Sequence, residues 1–175
     1  MRISKAGNSN RGFTLLEIIM VLFILALTTG LVLPDVGRLF QGNVLKTSVN
    51  RLVSAVAQTR SQAMLDREPW VLVIDTSGDQ ESQKSMSIDR TRKEIFVRAE
   101  EGARFRDVAL IRTGEVFTQE RVPLIFQPDG LVEPALVHCE SAGGEVTTVY
   151  LKAFNPRPMI IDGDMSLESL SGEGR

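Results

Sequence analysis

Several residues carry side chains capable of chemistry. His138 and Cys139 are adjacent. A thiol beside an imidazole begins a nucleophilic site, but the imidazole needs a third group to orient it. No such partner stands out, and a simply buried Cys is the ordinary alternative. Asp162, Asp164 and Glu168 crowd carboxylates near the C-terminus. Oxygen ligands in that pattern suit calcium, but a solvated polar tail is the ordinary reading of them. With one Cys and one His in the chain, neither an intrachain disulfide nor a Cys/His zinc site is expected. No cofactor or metal is expected, and no catalytic set is visible. Arg90-Thr91-Arg92-Lys93 is the densest basic run and reads as an exposed hairpin turn. Gly143-Gly144 lacks the Lys-Ser and helix start of a phosphate loop and reads as a turn. Trp70 opens an apolar strand and reads as core. Glu17 is different: it is a lone carboxylate inside a long apolar run.

That run is where composition becomes informative. The 175 residues fit one domain with room for an anchor. A hydrophobic fraction of 43% excludes a disordered chain, and a net charge of −2 excludes a strongly basic nucleic-acid binder. Phe13 to Leu33 is apolar except for Glu17. As a helix it would be about 31 Å long, the thickness of a bilayer's hydrocarbon core. Arg2, Lys5 and Arg11 precede it with no acid among residues 1–12. Such a flank holds the N-terminus in the cytoplasm and sends the remainder across. A cleaved secretory signal has the same charge pattern, but its apolar part is shorter and ends in a small-x-small site. Here the stretch runs into Pro34-Asp35 instead.

The segment Gly12-Phe13-Thr14-Leu15-Leu16-Glu17, after a short basic leader and before about twenty apolar residues, resembles the type IV prepilin signal. The resemblance implies removal of residues 1–12 by a membrane prepilin peptidase that cuts between Gly12 and Phe13. It implies N-methylation of the new Phe13 terminus by the same enzyme. It also implies that Glu17 pairs with the N-terminal ammonium of a neighbouring subunit. A buried charge is tolerated when paired, so this pairing would set register more than add stability.

The elements that follow must carry a head domain. Pro34 lacks a backbone donor and is expected to kink the helix. Beyond it Val36, Leu39, Phe40, Val44, Leu45, Val49, Leu52, Val53, Val56 and Ala63 recur at three- and four-residue steps. Arg38, Lys46, Asn50, Arg51, Gln58, Arg60 and Gln62 fall mostly between them. This is an amphipathic helix to about Asp66. Strand composition then follows at 70–75, 85–89, 94–98, 108–112, 122–127, 131–137, 146–154 and 158–162. Gly143-Gly144 is expected to turn between two of these strands. The fold class is α+β: a long N-terminal helix, membrane half plus amphipathic half, packed on antiparallel sheets in a pilin-like way. The expected organisation is a leader over 1–12 and a transmembrane helix over 13–33. Its amphipathic continuation covers 34–67, a periplasmic β-rich domain 68–165 and a flexible tail 166–175.

Arg51 to Ala63, with its Arg60-Ser61-Gln62-Ala63 ending, resembles the region before the first strand in the GspH/FimT family of minor pseudopilins. Ile125-Phe126-Gln127-Pro128-Asp129-Gly130 resembles that family's Phe-x-Pro-Asp-Gly turn, and Met159 to Gly163 its closing strand. Residues 79–123 match no motif. Asp-Pro-Trp-Gly, usual in major pseudopilins, is missing, and the tip-most large pseudopilin typically lacks an acid at Glu17. The family implies a minor subunit at or near the tip of a type II secretion pseudopilus, helping assembly and export of folded periplasmic proteins. Implied partners are other minor and major pseudopilins, the prepilin peptidase and the inner-membrane assembly platform, with secretion substrates or the outer-membrane channel as further contacts. The alternative is a FimT-like minor pilin of a type IV pilus, serving pilus assembly or DNA uptake. DNA is not expected as a partner. Residues 155–175 hold two arginines, Arg157 and Arg175, against four acids, and phosphate binding depends on cationic contacts.

Overall fold

A computed structural model describes residues 13–78 and 86–172, apart from the side chains of 28–42 and 170–172. The chain divides into two compact units at Gly37–Arg38. Helix α1 (Leu15–Asp66) contributes to both. In the second unit its stripe of Leu45, Val49, Leu52, Ala55, Val56 and Ala63 is buried. The three- and four-residue spacing puts these side chains on one face. Arg60, expected on the polar face, is also buried, at 8% exposure. The helix ends where Arg67 adopts a left-handed conformation, φ 52°. Pro69 follows two residues later, where it cannot extend a helix.

Among the described residues nine strands follow: β1 (Trp70–Asp75), β2 (Met86–Asp89), β3 (Glu94–Val97), β4 (Ala103–Leu110), β5 (Val116–Phe117), β6 (Arg121–Phe126), β7 (Ala135–Ser141), β8 (Val146–Leu151) and β9 (Met159–Asp162). They form two sheets, ordered β2-β3-β1-β6 and β5-β4-β7-β8-β9. One core cluster joins α1 to both sheets, with Trp70, Leu72, Ile74 and Phe126 from the first and Phe105, Val137, Cys139 and Val149 from the second. The α+β class holds.

Antiparallel pairing throughout does not hold. β3 runs parallel to β1, with Val71 opposite Glu94 and Ile74 opposite Val97. The cause is the order of β2 and β3. The chain leaves β1, forms β2 at the sheet's outer edge, and hairpins back so that β3 fills the place beside β1. Two strands separated by a return strand point the same way, so the first sheet is mixed.

Two strand starts also differ markedly. The strand expected over 131–137 begins only at Ala135. Gln127 N–H donates to the Leu131 carbonyl at 2.8 Å, closing a turn. Val132 keeps an isolated bridge to Phe126, and Pro134 has no N–H to give a ladder. β4 begins at Ala103 rather than Val108. Its alternation is broken by a bulge between Phe105 and Asp107, so Arg106 is the extra residue. β5 has two residues, too short for periodicity to reveal. Pro123 sits in β6, an edge strand, where a missing donor is tolerated. The tail expected to fray begins with a short helix, α2 (Leu167–Gly172).

Candidate functional site

Phe13 and Thr14 lead into α1. Glu17 N–H donates to the Thr14 carbonyl at 3.1 Å and lies 3.3 Å from its Oγ1, and Ile18 N–H donates to the same carbonyl at 3.3 Å. Thr14 is thus the helix N-cap and Glu17 the third helical residue. Thr-x-x-Glu is the spacing of a capping box. The spacing is a local sequence pattern and lies within the prepilin-type signal. An acid in the first turn also meets the positive end of the helix dipole.

Every residue from Phe13 to Leu27 is exposed. The large apolar ones include Phe13 at 79% and Phe23 at 64%. A continuous apolar surface of this size marks a membrane or protein contact. Among the described residues no helix is long and apolar enough to cross a membrane. Side chains 28–33 of the expected span lie outside the description, as does Gly12 of the expected cleavage site. The backbone is helical through Pro34, whose side chain also lies outside it.

The other candidates separate cleanly. Trp70 is 2% exposed and its Nε1–H donates to Asp66 Oδ2 at 2.9 Å, so it ties the helix end to the first sheet. Cys139 is fully buried, and burial pushes its thiol up to about 12, with Asp107 adding to the shift. Such a thiol is not a nucleophile at neutral pH.

His138 lies on β7 but alternates with Val137 and Cys139, so it faces the other side of the sheet. There Nδ1 meets Asp107 Oδ1 at 2.5 Å and Nε2 meets the Met165 carbonyl at 2.9 Å. Arg106 Nε donates to Asp107 Oδ2 at 2.7 Å, and its two terminal nitrogens donate to Asp164 at 2.9 and 3.1 Å. Nε2 also lies 3.3 Å from Asp164 Oδ1. Arg106, His138 and Asp107 thus clasp the segment after β9 through Asp164 and Met165. The Arg106 guanidinium holds Asp164 below the usual carboxylate range. Arg106 and Asp107 carried no sequence signal, because only the bulge brings them to His138.

Asp164 is therefore engaged by Arg106 rather than grouped with Asp162 and Glu168. Among the described residues no three His, Cys, Asp or Glu side chains are placed to hold a metal ion. In the basic run Lys93 pairs with Glu68, and Arg92 with Asp89 at 3.8 Å. Gly143-Gly144 turns β7 into β8, with Gly144 N–H donating to the Ser141 carbonyl at 2.9 Å.

A family model, the prokaryotic N-terminal methylation motif, matches residues 7–33. No curated protein and no solved structure matches the chain. A prepilin-type motif at the head of a capped, exposed apolar helix, followed by an α+β domain, supports a type IV pilin-like protein.

Proposed function

We propose that the protein is a minor pseudopilin: a non-catalytic subunit at or near the tip of a type II secretion pseudopilus that helps start assembly and export. In this reading Phe13–Leu33 spans the inner membrane before assembly, and the domain lies in the periplasm. Its partners are other pseudopilins, the prepilin peptidase and the assembly platform. The observation that carries the reading is the methylation motif over residues 7–33, running into an apolar surface that the chain itself leaves exposed. Such a helix needs lipid before assembly and neighbouring helices after it.

Glu17 fits the role. At the third helical position it can face an ammonium terminus from a neighbour, which neutralises both charges inside an apolar filament core. The choice of a minor secretion subunit over a FimT-like pilin rests on charge: residues 155–175 hold two arginines against four acids. In the basic run Lys93 is paired to Glu68 and Arg92 to Asp89, which reduces the cationic surface there for phosphates.

The test is cysteine crosslinking of full-length protein to co-expressed pseudopilins, with secretion of a reporter enzyme as readout. Specific crosslinks through the apolar helix, and loss of secretion on deletion, are expected. Crosslinks to pilus subunits with secretion intact would instead place the protein in a pilus.

A further inference from the structure

We propose that a groove at the C-terminal end of α1, built around the Arg60 guanidinium, docks an acidic side chain flanked by apolar residues on a partner protein. The groove has a volume of about 490 Å³ and is lined by Ala57, Arg60, Ser61, Met64, Leu65 and Pro156. That is the scale of a cleft that takes a ligand.

Arg60 is the reason. It is 8% exposed, yet among the described residues it enters no ion pair. Nη1 donates to the Asn155 carbonyl at 2.6 Å, and Nε is buried without a partner. The guanidinium lies 5.6 Å from the centroid of the Phe126 ring. Burial without a counter-charge disfavours the cation and lowers its pKa. A neutral donor would make the Asn155 bond without that penalty. A carboxylate entering the groove supplies the missing charge, and guanidinium and carboxylate match in shape.

The surroundings define the rest of the ligand. Met64 is 53% exposed and Leu65 is 72% exposed. Phe154, next to Asn155 in sequence, is 85% exposed. Large apolar side chains left in water around a lone buried cation are complementary to an acidic residue with apolar neighbours. A free anion would leave them uncovered.

Two of the lining residues, Arg60 and Met64, are closely packed from behind. Gly130 closes the turn after β6 with φ +82°, and a Cβ there would sit 3.2 Å from Met64 Sδ and 3.5 Å from Arg60 Cγ. The Phe126 to Gly130 turn, far from Arg60 in the chain, thus backs two of the residues that line the groove. The site lies wholly in the second unit, so its failure and the failure of the N-terminal reading are distinguishable.

The test uses the full chain in uncharged detergent micelles. The probe is a fluorescein-labelled peptide, Gly-Leu-Glu-Phe-Gly-amide, compared by anisotropy with its Gln counterpart. The Glu peptide is expected to bind at least about tenfold more tightly, as one well-made charged contact provides. Arg60→Gln should erase that preference. Leu65→Glu is the second variant: its site is exposed, so the fold survives, and like charge at the rim should also erase the preference. Equal binding of the two peptides, no binding of either, or a preference unchanged in Leu65→Glu would overturn the proposal. So would displacement by inorganic phosphate as effective as by unlabelled peptide. Self-association abolished by Leu65→Glu, without a peptide preference, would assign the groove to a second copy instead and overturn it too.

Discussion

His138 and Asp107 are joined across the β4–β7 pair, Nδ1 to Oδ1 at 2.5 Å, while the ring's other nitrogen meets the Met165 carbonyl. Both partners are acceptors, so the doubly protonated ring is the form that makes both hydrogen bonds at once. Burial works against that charge, but the Asp107 hydrogen bond, backed by Met165, raises the pKa above 6.5. Burial likewise opposes ionised Asp107, and the His138 and Arg106 hydrogen bonds bring its pKa below 3.8.

These shifts fix a pH window. A raised His138 stabilises the fold fully below about pH 6.5, and the effect is lost as pH rises through the raised value. Lowered Asp107 and Asp164 contribute above about pH 3.8, and their effect is lost as pH falls through the depressed values. Tm should therefore be highest between those limits and decline on the alkaline side. His138→Gln should flatten the alkaline decline and cost about 2 kcal/mol at pH 6, because Asp107 stays buried with one partner fewer. Thermal melts across pH of both chains check this. An alkaline limb unchanged in the variant would show that the ring is not the titrating group.

Two glycines with the same φ should respond differently to alanine. Gly130 and Gly144 both have φ +82°, but a Cβ at Gly144 meets nothing within 4 Å. Gly144→Ala should cost about 1 kcal/mol for the left-handed backbone alone. Gly130→Ala should cost more, about 2 kcal/mol, since Met64 and the Arg60 stem must also shift. Urea unfolding of both variants checks the order. Equal losses would mean that the packing of Gly130 against Met64 and Arg60 is not tight.

What the sequence disclosed follows from which interactions are local. Leu45 to Ala63 repeat on one helix face, and Trp70 to Asp75 have strand composition, so both are legible from neighbours in the chain. The Gly143-Gly144 hairpin is legible for the same reason. The parallel β1–β3 pair is not, because it depends on which of two short strands takes the inner place. The His138 clasp is hidden too: Asp107 reaches His138 only through the Arg106 bulge. Arg60 looked like a solvated polar residue because nothing local reveals that Phe126 and Asn155 will close over it. At the N-terminus the prepilin-type signal and the Thr14-x-x-Glu17 cap within it are both patterns of neighbouring residues, so both are legible.

Cys139 should be chemically silent. It is fully buried and its thiol is pushed up to about 12. A disulfide-exchange reagent should label the native chain far more slowly than the chain in denaturant. Tm should be the same with and without reductant. Rapid labelling of the native protein would show that the face of β7 turned to the core opens readily.

Replacing Glu17 with Gln removes the charge and keeps the size. Leader removal should persist, and membrane insertion should persist because neutral Gln is easier to place in hydrocarbon than ionised Glu. Crosslinking to neighbouring pseudopilins should fall, together with reporter secretion. Unchanged crosslinking and secretion would remove charge pairing from the account while leaving the fold untouched.

The most direct measurement is the mass and sequence of the N-terminal peptide of protein purified from membranes that contain a prepilin peptidase. A type IV pilin-like subunit should begin at Phe13 with one methyl group on its amine, and substitution of Gly12 by a bulky residue should leave the leader attached. A chain that keeps Met1, or one cut beyond Leu33, would contradict the account.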